Sequence, residues 1–143
     1  MLRLKGAPFC TAFTVYGDHD PSGQNEETGI WLDIAADGAD VSWITLVDTG
    51  APWCIVKATI ADALGLTTHK EAGLSTRLGV VLGELHRVPV MLLADEGRPL
   101  TVEATVFASA HWTGPNVLGY QGFLERLRFA VDPAAQRFYF GKL

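Results

Sequence analysis

One carboxylate in this chain sits where chemistry could use it. In Leu46-Val47-Asp48-Thr49-Gly50-Ala51 an apolar run ends in an Asp, on a turn that calls for glycine. Hydrolysing a peptide bond without a metal or a covalent intermediate needs an acid and a base acting on one water. Two carboxylates in contact supply both, because like charges that close cannot both ionise and the pair shares one proton. One then activates water while the other protonates the carbonyl. Gly50 lets the backbone come close to a partner carboxylate. Thr49 offers a hydroxyl that can lock the turn to a neighbouring segment, and the run Ile44 to Val47 anchors the turn in a rigid sheet. Downstream, Asn116-Val117-Leu118-Gly119 repeats the plan of an apolar run ending in glycine, but without an Asp. The chain therefore carries one half of such a site, and a second copy must bring the other half.

The elements that would position Asp48 are mostly strands. Phe9 to Tyr16 reads as a first strand, and the polar stretch Gly17 to Gly29 as an exposed loop. Ile30 to Ala36 and Val41 to Val47 are rich in β-branched and aromatic residues and are joined by Asp37-Gly38-Ala39-Asp40, a turn. Extended structure resumes at Trp53 to Val56. Ala58 to Leu64 has apolar residues at helical spacing, with Gly65 as its stop. Leu74 to Ala94 reads as a long hairpin with its tip at Gly79-Val80-Val81-Leu82-Gly83. Leu100 to Ala108 and Val117-Leu118 are further strands, and Gly122 to Leu127 is a short helix. Arg128 to Val131 and Arg137 to Phe140 close the chain as a hairpin around Asp132-Pro133.

Other candidate groups have plainer readings. Asp18-His19-Asp20 is the only tight cluster of potential metal ligands, and His69, His86 and His111 do not fall at ligand spacing. A solvated loop accounts for the cluster, so no metal or cofactor is expected. Cys54 would need a His base to act as a nucleophile, and a buried structural thiol is the favoured reading. Ser42, Ser75 and Ser109 lack the strand-to-helix elbow of hydrolase serines. Of the tryptophans, Trp53 follows the Asp48 turn and is placed to line a substrate pocket.

Composition bounds the rest. The 143 residues suit a single domain, 1–143, with 48% hydrophobic and 19% charged side chains, which argues against disorder. The formal net charge is -5 and no Lys/Arg cluster stands out, so nucleic acid is not an expected partner. No apolar run is long enough to span a bilayer, no secretory signal is recognisable, and two cysteines make no disulfide framework. These features point to a cytoplasmic protein that does not engage membranes.

Taken in order, these elements resemble the retropepsin-like aspartic proteases, the single-domain retroviral type and its bacterial relatives. The resemblance runs from about Ile30 to Phe140. It is closest over Leu46 to Ala51 and Val117 to Gly119, followed by Phe123-Leu124-Glu125-Arg126-Leu127 and the Asp132-Pro133 hairpin, as in bacterial members. It implies an all-β fold, a closed acid-protease-type β barrel with a flap hairpin and one or two short helices. It implies an aspartic endopeptidase working as a homodimer on a peptide or protein substrate. Asp48 would be catalytic, Thr49 would hydrogen-bond across the dimer, and Gly50 and Ala51 would bind substrate backbone. The hairpin around Gly79 to Gly83 would be the flap, and Val80, Val81, Leu82 and Val117 would line the pocket with Trp53.

Three departures from the retroviral pattern stand out. Pro52 replaces an acidic residue and Tyr120 replaces the Arg that would pair with it near the dimer interface, so dimerisation rests on other contacts. The flap tip is more apolar than a glycine-rich one. The apolar termini, Phe9 to Val15 and Phe138-Tyr139-Phe140, are the expected interface strands. Ala51 lacks the hydroxyl that Ser or Thr would aim at the carboxylate, so activity is expected at mildly acidic to near-neutral pH. A peptide-binding or regulatory module with the same fold and no activity is the alternative; a protease that frees itself from a precursor is a third reading.

Overall fold

The computed structural model describes residues 1–66 and 70–143; His69 lies outside them. Twelve strands carry the described chain: β1 (Leu2–Leu4), β2 (Ala7–Cys10), β3 (Ala12–Val15), β4 (Trp31–Ala36), β5 (Ser42–Val47), β6 (Cys54–Val56), β7 (Lys70–Thr76), β8 (Gly79–Leu92), β9 (Leu100–Ala108), β10 (Val117–Leu118), β11 (Leu127–Asp132) and β12 (Arg137–Lys142). One helix, α1 (Ala58–Leu64), follows β6, and Gly65 closes it by donating to Asp62 O. The segment expected as a second helix is a single 3-10 turn, Leu124–Arg126. No helix among the described residues is long and apolar enough to cross a membrane.

The main sheet runs β4-β5-β10-β6-β9-β8-β7. β4 also pairs with β8, Ile34 opposite Leu92, so the sheet curls back on itself. Its inward side chains alternate along the strands, as in Ile34 and Ala36, or Val88, Val90 and Leu92. With Phe123, Phe138 and Phe140 they form one core cluster, and each large side chain so buried contributes about 1.5–3 kcal/mol.

The termini meet in a second sheet, β11-β12-β3, in which Phe138 faces Thr14 and Phe140 faces Ala12. This corrects the sequence reading of the ends. Phe9 to Tyr16 is two strands rather than one, interrupted at Thr11, whose N–H bonds Phe140 O at 3.0 Å. The aromatic residues expected at a subunit interface, Phe13, Phe138, Tyr139 and Phe140, are buried within this chain.

The hairpin also differs in its tip. The turn lies at Arg77-Leu78, where Thr76 Oγ1 donates to Gly79 O and accepts from Leu78 N. Gly79 to Gly83 is the first stretch of β8, paired with β7 so that Ser75 faces Val80 and Gly73 faces Leu82.

Candidate active site

The Asp48 turn is held by a strand that arrives late in the chain. β10 lies parallel to β5, Val117 beside Leu46 and Leu118 beside Val47, and antiparallel to β6, with Val117 opposite Ile55. The chain thus leaves β5, makes the Asp48 turn, and returns as β6 on the other side of β10. Asp48 N donates to Leu118 O at 2.9 Å, and Leu46 N to Asn116 O at 2.9 Å. Within the turn, Gly50 N donates to Asp48 Oδ1 at 2.8 Å and Ala51 N to Asp48 O at 3.2 Å. The far side is fixed by Tyr120 N on Ala51 O at 2.9 Å and Gln121 N on Pro52 O at 3.0 Å.

Gly119 makes this closeness possible. A Cβ there would stand 2.0 Å from Trp53 O, so a side chain would push β10 off the turn. Asp48, Thr49 and Gly50 are all exposed on this buried frame, while Ala51 is buried. The carboxylate is therefore presented to solvent on a backbone hydrogen-bonded from both sides, as positioning an acid/base group requires.

Four of the residues expected at the site come together beside the turn. Ala51 and Val117 belong to one apolar cluster with Ile55, Leu74 and Phe107, against which Trp53, Val81 and Trp112 pack half-buried. Trp53 stacks on Phe107, centroids 5.8 Å apart at 21°. Leu74 and Val81 bring the inner face of the hairpin onto the cluster. Val80 and Leu82 are not part of it; they are 64% and 69% exposed on the hairpin's opposite face. Their neighbours alternate because this stretch is strand, whose side chains point to opposite faces in turn.

Three residues matter more than their types announced. Asn116 ties three elements together: its Oδ1 accepts from Lys57 N at 2.8 Å, at the start of α1, and its Nδ2 donates to Ile44 O at 3.1 Å, on β5. The only sequence signal was its place before an apolar pair. Trp112, in the loop before β10, is fixed by its indole N–H on Pro115 O at 2.7 Å. Asp20 lies in the loop expected to be wholly exposed, yet is only 6% exposed. Burial would raise its pKa, but bonds from Ser22 and Asn25 outweigh it and lower the carboxyl to about 2.

The remaining candidates stay apart from Asp48 chemistry. His19 Nδ1 meets Asp18 Oδ1 at 2.8 Å on the surface, while the Asp20 carboxylate is committed to its own loop. Among the described residues no three His, Cys, Asp or Glu side chains are grouped to hold a metal ion. Burial pushes the Cys54 thiol up to about 12, so it is protonated at neutral pH and a poor nucleophile. A scan against family models finds no match for this chain, and a search of curated proteins finds none either.

Proposed function

We propose that this chain is the subunit of a retropepsin-like aspartic endopeptidase, a closed acid-protease barrel that works as a homodimer. The observation that carries the reading is the exposed Asp48 on a turn hydrogen-bonded to β10 and bordered by an apolar cluster on which the inner face of a long hairpin packs. One subunit supplies one carboxylate, and a twofold axis through the turn supplies its equal. The pair holds one proton between them. The ionised Asp48 takes a proton from water as the water oxygen attacks the scissile carbonyl carbon. The protonated Asp48 gives its proton to the carbonyl oxygen. Collapse of the resulting diol breaks the C–N bond. The Asp48 that took the water proton gives it to the leaving nitrogen, and the other Asp48 takes a proton from a diol hydroxyl, so the pair again holds one.

The substrate would lie extended under the hairpin, bonded in the manner of an added strand. Its apolar side chains would meet Val81, Trp53 and Val117. Two buried, free cysteines are in keeping with a cytoplasmic setting.

The test is cleavage of a diverse peptide library between pH 4 and 7.5, read by mass spectrometry, for wild type and Asp48→Asn. The substitution replaces both carboxylates of the dimer, acid and base together, and should lower kcat/KM by about 10⁴-fold or more. Peptide affinity and thermal stability should survive, because the side chain is exposed and nearly isosteric. Equal cleavage by both proteins would end the reading. Binding without cleavage by either would identify a peptide-binding module.

A further inference from the structure

The β7–β8 hairpin joins the rest of the sheet at its base alone. β9 pairs with β8 from Leu92 back to Glu84, whose partner is Ala108. From Gly83 outward the two hairpin strands pair with each other. Past the base the hairpin has no third strand beside it, and its inner face rests on the apolar cluster through Leu74 and Val81, so what holds the base sets the angle at which it meets that cluster.

Two features meet at that base. Ser109, the first residue after β9, is 6% exposed and donates its hydroxyl to Leu82 O at 2.7 Å. The β9 backbone turns away here, and a side chain takes over the next acceptor of β8. The same Ser109 oxygen accepts from His111 N at 3.0 Å, and Ser109 O accepts from Trp112 N at 3.3 Å. One residue therefore links the hairpin to the loop that brings Trp112 onto the apolar cluster containing Ala51 and Val117. Gly83 is the second feature. A Cβ on it would stand 2.5 Å from Ala108 O and 2.6 Å from the Phe107 ring, the ring on which Trp53 stacks. The hairpin base thus rests on the wall of the site with no side chain between.

We propose that Ser109 is a positioning residue, a latch whose bond to Leu82 fixes the angle of the hairpin over Asp48. This rests on the proteolytic reading for its role in substrate binding, and on the geometry alone for its role in holding the hairpin. A loosened hairpin weakens substrate and transition state equally, so KM rises while kcat holds.

Hydrogen exchange of the full chain, followed by mass spectrometry, tests the latch in wild type, Ser109→Ala and Ser109→Thr. In the Ala variant, amides of residues 71–83 should exchange about five- to ten-fold faster, with β9 and β12 unchanged, as expected for one lost hydrogen bond in a locally opening unit. Threonine, which keeps the hydroxyl, should restore the wild-type pattern. Unchanged hairpin exchange, or a rise shared by every strand, would overturn the latch. With active enzyme, the Ala variant should raise KM about three- to ten-fold at constant kcat; a fall in kcat alone would overturn the positioning role. If wild type cleaves nothing, the proteolytic reading fails, and the exchange comparison still decides whether Ser109 holds the hairpin.

Discussion

Two polar side chains outside the site show how much a single residue's surroundings decide. Thr45 is fully buried on the strand that carries Asp48, and among the described residues its Oγ1 is the buried side-chain atom that no hydrogen bond satisfies. Replacing it with isosteric Val removes that cost. Thr45→Val should stabilise the protein by about 1–2 kcal/mol and raise Tm by about 2–8 °C in thermal unfolding. An unchanged or lower Tm would mean the hydroxyl has a partner when the protein is in solution. Asp20 runs the other way. Its folded pKa of about 2 lies below its ordinary 3.8, so it adds stability above pH 3.8 that is lost as pH falls toward 2. Denaturant titrations should show Asp20→Asn losing on the order of 1–2 kcal/mol at neutral pH and showing a flatter acid limb between pH 4 and 2. Identical slopes would remove Asp20 from the acid response. The Asp48 motif was legible in the sequence because its turn is local: carboxylate, hydroxyl and glycine are adjacent. Asp20 was not, because its meaning depends on burial, and Ser109 was not, because its partner Leu82 lies 27 residues away.

The strands were legible where alternation was clean and short connections bounded them. β4, β5, β9 and α1 fall within a residue or so of expectation for that reason. The hairpin tip was misplaced because two glycines, 79 and 83, look like a turn. Only Gly79 borders the turn; Gly83 sits inside a strand because β9 passes too close for a side chain. Gly119 follows the same logic at the Asp48 turn. Gly119→Ala should cost about 3 kcal/mol or more in chemical denaturation, since the obstructing atoms are backbone and cannot move aside singly. A loss under 1 kcal/mol would show that β10 can slide. The pairing of β10 between β5 and β6 was not legible at all: two apolar residues carry no record of which strands they join.

Across the whole molecule, the described chain keeps its aromatic termini for itself. β3 and β12 pack their aromatic side chains into this chain's own core. The half-exposed Tyr120 and the exposed Pro52 lie on the same rim as Asp48, held there by the Ala51 and Pro52 carbonyls. If the active species is a homodimer, specific activity should fall in proportion to protein concentration below the dimer dissociation constant. The check pairs an activity dilution series with sedimentation velocity over the same range. Constant specific activity in a regime where only monomer sediments would refute the half-site idea.

The strand between the two arms of the Asp48 turn also sets a schedule. Synthesis delivers Asp48 early, but the carbonyls and amides that hold it come from Asn116 to Gln121. A nascent chain that has passed Gly50 has the carboxylate on a loose loop, with neither Leu118 to receive its amide nor Tyr120 to grip Ala51. The turn takes the shape seen here only once Asn116 to Gln121 have joined it. The geometry of Asp48 thus depends on residues that synthesis supplies much later.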